Sequence, residues 1–373
     1  MGKFGKKKDV DLNPLHYSTC LIGLSGVGKT TIAKEMCEKL CGEDGYIHFD
    51  IGREDGADAI QGIVTEKIED WAKLVEVTED IIENKETDYP NLQCIIWDTF
   101  DELIVLAEKE AIRLWNKKNP DKKSDLINAI YGGFGKGQDK AMELILDRIW
   151  ELKKVGISAF IIGHLKRTDI TDPVTNETYS QLTADTTQRY FNAIRNKMHF
   201  IGVAYIDRDI VKEKTGKKNV VTHKDIEINK VVSEARVISF RDDTYSIDSK
   251  SRFSDIVDKI PFDCDAFIKA MRDAIEAERA KSGKTLAESQ KEQAEKDRAA
   301  EEAAKEYSDA QRTRKVDAER NDELISIIKP KFLKTTAENK AAVKGVMSEY
   351  EFEKFTDPDI PTVALEKIVQ ILS

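Results

Sequence analysis

The chain has 373 residues, of which 40% are hydrophobic and 34% are charged, and its formal net charge at pH 7 is −10. This length allows one or two domains with a sizeable core, and the acidic balance disfavours nonspecific polyanion binding by the whole surface. No apolar run is long enough to span a bilayer, and the five cysteines form no Cys-x-x-Cys pair. We therefore expect a cytoplasmic protein with reduced cysteines, without a membrane span, disulfide framework or zinc site.

A phosphate-binding loop is the strongest signal in the chain. Residues 1–15 are basic and then polar, which is typical of a flexible arm. Next, residues 18–22 predict a short buried strand and residues 31–36 predict a helix. Between them, Gly23 to Thr30 follows the pattern G-x-x-x-x-G-K-[ST].

Each fixed position of this loop has a chemical role. Glycines let the backbone turn so that its N–H groups point at a phosphate, and the following helix offers its positive end. Lys29 would contact the β and γ phosphates, and the Thr30 hydroxyl would bind Mg²⁺. ATP and Mg²⁺ are therefore the expected ligands, and the nucleotide contacts should come from Gly23, Ser25, Gly26, Val27, Gly28, Lys29, Thr30 and Thr31.

Two further predicted strands end in acidic residues. The strand over residues 46–50 ends at Asp50, and Glu54 follows in the turn. Because the carboxyl ends of parallel strands face the ligand, Asp50 and Glu54 are candidates for activating the attacking water. The apolar run over residues 92–99 predicts a fully buried strand, and its Asp98 is the expected second Mg²⁺ ligand.

Another buried strand, over residues 157–164, ends in His164, which is placed to sense the γ-phosphate. The Thr- and Asp-rich residues 166–187 predict a long loop. Residues 116–140 combine glycine and lysine with Tyr131 and Phe134, which is typical either of a mobile loop that grips a polyanion or of a solvated insertion.

The last part of the core carries β patterns. Residues 199–206 and 235–248 alternate as strands, with a basic segment between them that suits a hairpin, and residues 236–247 predict a second hairpin around Asp242 and Asp243. Despite the acidic total, these lysine-rich stretches predict a local surface for single-stranded DNA.

The composition changes after residue 262. Residues 263–320 are rich in Ala, Glu, Lys, Gln and Arg, which predicts an exposed, partly flexible helical linker. Residues 321–373 recover apolar spacing and predict a small all-α module for a protein partner. The expected organisation is an arm at 1–15, an α/β core with a mostly parallel sheet at 16–262, the linker, and this module.

The phosphate loop, the strands ending in Asp98 and His164, and the Lys250-Ser251-Arg252 tail together resemble RecA-like ATPases. The likeness covers residues 15–262 and is greatest to phage-encoded NTP-binding proteins of the Sak type, linked to single-strand annealing and recombination. It implies assembly into rings or filaments in a bacterial host cell, with ATP held between subunits and Lys250 and Arg252 reaching a neighbour's γ-phosphate.

In one respect the chain departs from this family. The resemblance implies a catalytic glutamate two residues after Asp50, where this chain has Gly52. We therefore expect either that Glu54 replaces it or that hydrolysis is slow. Two other functions stay open on the sequence alone: a helicase-loader-type ATPase that acts on a protein partner, and a small-molecule kinase that uses the same phosphate loop.

Overall fold

The computed structural model describes residues 9–53, 56–172, 174–218, 225–241, 249–357 and 359–373. The strands within these ranges are β1 Thr19–Gly23, β2 Tyr46–Ile51, β3 Thr65–Ile68, β4 Cys94–Asp98, β5 Ser158–Thr171, β6 Thr178–Ala184, β7 Phe200–Lys218, β8 Asp225–Ser239, β9 Lys250–Ser251 and β10 Lys259–Pro261. The α-helices are α1 Lys29–Cys41, α2 Trp71–Glu83, α3 Phe100–Lys118, α4 Lys136–Lys154, α5 Gln188–Arg195, α6 Cys264–Ala280, α7 Leu286–Lys334, α8 Ala337–Glu349 and α9 Thr362–Ile371.

The central sheet is mostly parallel, which confirms the predicted α/β class. Its strands lie in the order β10-β8-β7-β1-β5-β4-β2-β3, and every neighbouring pair from β7 to β3 is parallel. The strands β1 and β4 are buried along their whole length, as expected for strands covered on both faces. The carboxyl end of β1 therefore lies between β5 and β7, with Gly23 aligned with His164 and Ala204.

Helices cover both faces of this sheet. Along β1, Cys20 and Ile22 point into a core with helices α2 to α5, while Leu21 points into a second core with α1 and α6. This alternation follows from the two-residue repeat of a strand, which sends successive side chains to opposite faces. The result is a three-layer structure whose carboxyl edge carries the phosphate loop.

Residues 166–187 do not form the predicted loop. Strand β5 continues to Thr171 and pairs with β6 in an antiparallel hairpin, in which Thr168 and Thr183 are joined by a hydrogen bond of 2.9 Å. Threonine favours strands because its branched side chain fits the pleated surface. The apolar alternation that usually reveals a strand is missing since both faces of this hairpin meet solvent.

The strands β7 and β8 form one long hairpin. It contains most of the predicted strand 199–206, the first part of the predicted strand 235–248 and most of the basic segment between them. Its register shifts between Asp209 and Ile210 and again between Lys214 and Lys218. The backbone of residues 219–224 and the side chains of 214–227 lie outside the described residues, as does the second hairpin expected around Asp242 and Asp243.

The segment 116–140 is more ordered than a mobile loop. The side chain of Asn116 bonds the backbone of Ser124 in both directions, and Trp115 Nε1 donates to the Lys122 carbonyl oxygen at 3.0 Å. Tyr131 packs on Trp115 with ring centroids 5.1 Å apart, whereas Phe134 is 95% exposed. Phe134 is thus the aromatic side chain of this segment that a base could reach.

The helix α6 belongs to the core, although the sequence assigned it to the linker. Phe267 and Met271 are fully buried, and Phe267 lies against Phe160 and Phe240. Its apolar residues recur with helical spacing, so one face buries against the sheet. The charged helical stretch therefore begins with α7.

The long helix α7 touches the core and then leaves it. It starts with a capping box of Thr285 and Glu288 and packs through Ala304 and Tyr307 onto α2 and α4. Beyond the ion pair of Lys315 with Glu83, its last turns form a separate core with α8 and α9. The predicted C-terminal helical region is confirmed.

The N-terminal segment is described from Asp9 onward. Asp9 pairs with Lys284 at 2.9 Å, and Gln293 on α7 accepts from the Leu12 amide at 3.3 Å. Residues 1–8 of the predicted arm lie outside the described residues. Within the described ranges, no helix combines the length and the apolar character that crossing a membrane requires.

Candidate nucleotide-binding site

The phosphate loop is a tight turn between β1 and α1. Gly26 and Gly28 have φ angles of +71° and +105°, in the left-handed region that glycine tolerates best. Gly28 directly precedes the first residue of α1, so the amino end of this helix opens onto the loop. The side chains of Ser25 and Thr31 are exposed, whereas Val27 is buried in the core beneath the loop.

The buried Lys29 side chain folds back into the loop. Its Nζ donates to the carbonyl oxygens of Gly23 at 3.2 Å and Leu24 at 3.1 Å. The cation therefore lies inside the turn, beside the helix end. A phosphate would find both a positive charge and backbone N–H groups there.

Thr30 and Asp98 meet although 68 residues separate them. The Thr30 hydroxyl donates to Asp98 Oδ2 at 2.6 Å, because β4 ends beside the first turn of α1. A hydroxyl and a carboxylate are the hard oxygen ligands that Mg²⁺ prefers, so this pair fits that ion. When bound, Mg²⁺ would supply charge neutralisation for the phosphate oxygens.

A buried histidine orients Asp98. His48 Nε2 lies 3.2 Å from Asp98 Oδ2, and His48 Nδ1 lies 3.1 Å from Thr65 Oγ1. An ionised carboxylate only accepts hydrogen bonds, so Nε2 donates to Asp98, and in the neutral ring Nδ1 then accepts from the threonine hydroxyl. No sequence motif predicts this role for His48, although it shares a strand face with Asp50 two residues further on.

Asp50 lies next to Asp98 in the sheet register. Its carboxylate is nine-tenths buried and forms an ion pair with Lys67 from β3, with Oδ2 2.9 Å from the lysine Nζ. The other oxygen, Oδ1, is buried and has no hydrogen-bond partner among the described residues. The second candidate for water activation, Glu54, lies outside the described residues.

His164 is held at the carboxyl edge next to the loop. Its backbone N–H donates to Asp101 Oδ2 at 3.0 Å, and its Nδ1 lies 2.9 Å from the same oxygen. Since His164 aligns with Gly23 and begins the exposed part of β5, it connects the phosphate loop to the β5–β6 hairpin.

Lys250 and Arg252 lie at the other end of the sheet. Strand β9 pairs with the start of β7, and the start of β7 aligns with the first residue of β1. The phosphate loop, in contrast, follows the last residue of β1. The two side chains donate to the carbonyl oxygens of Arg195 at 3.1 Å and Asn196 at 2.6 Å. Burial and the nearby cations Arg252 and Arg195 lower the pKa of Lys250.

The sheet order, the glycine loop and the Thr30–Asp98 pair define a P-loop nucleotide-binding domain of the NTPase type. The model of the AAA domain family matches residues 16–253, well over half of the chain, so the chain belongs to this family. A search of curated proteins found no match to the chain.

Proposed function

We propose that this protein hydrolyses ATP with Mg²⁺ and acts on single-stranded DNA, as a phage- or mobile-element RecA-like protein of the Sak type. Recombination, annealing or replication would be its context. The observation that carries the nucleotide part is the 2.6 Å contact of Thr30 with Asp98 beside the buried Lys29. The proposed metal ligands are Thr30 and Asp98, and Lys29 stabilises phosphate charge.

The DNA part is supported by the two hairpins that flank the phosphate loop. Strand β1 ends at Gly23, but its neighbours β5 and β7 continue past it to Thr171 and Lys218. Both hairpins therefore leave the sheet at the edge where the nucleotide binds. In the sequence, residues 214–224, which include the connection between β7 and β8, contain four lysines and no acidic residue.

This placement gives a route from nucleotide to DNA. A strand held between the two hairpins would lie close to the γ-phosphate, and His164 stands at the base of one hairpin with Asp101 as its partner. Lysines that neutralise DNA phosphates release counterions, so affinity should fall steeply with salt. The exposed Phe134 ring could add base stacking worth roughly 1–3 kcal/mol per base.

A homo-oligomer, either a ring or a filament, is part of the proposal. Lys250 and Arg252 are remote from the phosphate loop of their own chain, so a contact with a γ-phosphate would have to be made in a neighbouring subunit. The separate core of α7, α8 and α9 offers a second surface, for a phage or host protein.

The test is the binding of fluorescent poly-dT at two salt concentrations, with and without ATP. We expect salt-sensitive binding that ATP strengthens, with a log–log slope of about 0.7 per phosphate contact. Changing Lys212, Lys214, Lys217 and Lys218 to Glu should weaken binding and flatten the slope while ATP affinity stays constant. Changing Lys122 and Lys123 to Glu should have a milder effect. Glu substitutions at Lys329, Lys331, Lys334 and Lys344 form the matched control in the C-terminal helices.

The outcome also separates the rival functions. If the wild-type protein shows no salt-sensitive DNA binding with ATP present, the DNA role is wrong and a loader-type ATPase with a protein partner becomes the better account. ATP consumption that requires a small phosphoryl acceptor would instead favour the kinase.

A further inference from the structure

Hydrolysis of ATP needs a group that takes a proton from the attacking water. A general base must have a lone pair free for that proton and must be reachable by water. Four carboxylates of the described residues lie at the carboxyl ends of β2 and β4 or directly after them: Asp50, Asp98, Asp101 and Glu102.

Three of these four carboxylates are already engaged. Asp98 Oδ2 accepts from both Thr30 and His48. Asp101 Oδ2 receives the backbone N–H and contacts the ring nitrogen of His164. The Asp50 side chain is nine-tenths buried and neutralised by Lys67, so water reaches it poorly.

Glu102 differs from these three carboxylates both in its free lone pairs and in its access to water. It lies in the first turn of α3, four residues after Asp98, and its side chain is partly exposed. Within the part of the chain that the structure describes, its carboxylate has one hydrogen bond, a long one of 3.4 Å from the Arg53 amide to Oε2. Most of its lone pairs can therefore bind water.

The backbone after β2 makes room for this carboxylate. Gly52 has a φ of +71°, and a Cβ built on it would overlap Glu102 Oε2 and lie 3.0 Å from the Glu102 Cβ. The Glu102 carboxylate thus rests directly over a glycine at the end of β2. Since Asp50 and Asp98 are register partners, the end of β2 lies next to Asp98, the proposed metal ligand.

We propose that Glu102 is the general base of ATP hydrolysis, an inference that rests on the proposed ATPase function. Glu102 takes a proton from water as the water oxygen forms a bond to the γ-phosphorus. The bond between that phosphorus and the β–γ bridging oxygen breaks, which leaves ADP and phosphate. Protonated Glu102 then returns its proton to solvent on its exposed side.

The test compares Glu102→Gln with Glu110→Gln in the full-length protein. Glu110 lies on the same helix and pairs with the exposed Arg113 at 2.6 Å, two turns away from the site. We expect E102Q to lower kcat by about 10²- to 10⁴-fold, with ATP affinity and melting temperature near wild type. E110Q should leave all three quantities unchanged. E102D should keep part of the activity, and E102Q should lose the acidic limb of the pH–kcat profile.

A second variant keeps Glu102 but moves it. Gly52→Ala should displace the carboxylate and lower kcat while Mg²⁺–ATP still binds. The inference is wrong if E102Q hydrolyses ATP at the wild-type rate, or if the single substitution Asp50→Asn removes activity. In either case the proposed ATPase function stands. A wild-type protein that binds ATP without hydrolysing it would overturn the proposed hydrolysis, and this role with it.

Discussion

The carboxyl edge of the sheet and the helix α7 hold their polar side chains in different ways. At the sheet edge, His48 is buried between Asp98 and Thr65, and Lys29 is buried against loop carbonyls. Along α7, charged side chains form exposed pairs within one turn, such as Arg320 with Glu323. A buried polar group that loses its partner costs stability, whereas exposed ion pairs contribute about 0–1 kcal/mol.

The buried contacts fix the geometry of the sheet edge, whereas the exposed pairs do not. The buried network joins four separate strands and helices, so each of its members constrains the others. The pairs on α7 constrain only their own helix, and they keep it soluble where it leaves the core. Substitutions should therefore have large and specific effects at the edge and small effects along α7.

The largest effect is expected for Lys29→Ala. Removing the cation from the loop should weaken Mg²⁺–ATP binding by at least about 100-fold in calorimetry, because a charge-assisted contact to phosphate is lost. The folded state should survive, as circular dichroism can verify. Lys34→Ala, one turn along α1 in a pair with Glu38, is the control and should bind normally. Unchanged affinity in Lys29→Ala would contradict the site.

The burial of α6 can be tested against α7 by urea unfolding. Phe267→Ala should lower the free energy of unfolding by about 3–5 kcal/mol, since it leaves a cavity against Phe160 and Phe240. Leu333→Ala on α7 removes a side chain that is 78% exposed and should cost less than about 0.5 kcal/mol. Similar losses in both variants would mean that α6 is not part of the core.

Because His48 orients Asp98, removing the histidine should change the Mg²⁺ concentration that ATP binding requires. His48→Ala should raise the Mg²⁺ concentration for half-maximal ATP binding by about 10- to 100-fold, the usual range for a residue that orients a ligand. His16→Ala, which changes a histidine remote from this site, should leave that concentration unaltered. If the Mg²⁺ requirement is the same in His48→Ala and the wild type, Asp98 is not oriented by this histidine.

Limited trypsin digestion should map where α7 leaves the core. Contacts with the core extend to the Lys315–Glu83 pair, and the terminal core begins near Leu324. The first cut is therefore expected at Arg320, which would release a fragment of about 50 residues. If Arg320 is as protected as Lys269 in α6, this part of α7 is packed rather than exposed.

The smallest effect concerns the N-terminal segment beside α7. The hydrogen bond that His16 Nδ1 donates to Asp11 Oδ2, at 2.7 Å, raises the pKa of His16. A pKa that is higher in the folded state stabilises the fold, and this contribution is complete at pH values below the unfolded-state pKa near 6.5. The contribution is lost as the pH rises through the folded-state pKa. Stability should thus fall from pH 6 to pH 8 by less than about 1 kcal/mol, because the pair is partly exposed. His16→Gln should remove that pH dependence; an identical profile would contradict it.

Much of the nucleotide site was predictable because it is local. Gly23 to Thr30 is a continuous stretch in which glycine positions encode the turn, and the apolar run before Asp98 encodes a buried strand. The α/β class followed from the same runs. His164 aligns with Gly23 at the start of the loop, although the strand predicted to end at His164 continues to Thr171.

The β5–β6 hairpin and α6 were harder to predict. In the β5–β6 hairpin both faces meet solvent, so its strands lack the apolar alternation that marks a half-buried strand. In α6, Phe267 and Met271 have helical spacing, but the Ala- and Glu-rich residues that follow concealed the boundary with α7. In both regions composition was a poor guide to burial.

The phosphate loop and the buried strands β1 and β4 can be predicted from the sequence alone, because these features depend on residues that are neighbours in the chain. The contact of His48 with Asp98 and the position of the Glu102 carboxylate over Gly52 depend on tertiary packing. Those contacts join residues 50 positions apart in the chain, as numbered in the sequence. They exist because β2 pairs with β4 and α3 begins where β4 ends, an order of strands that no local pattern encodes.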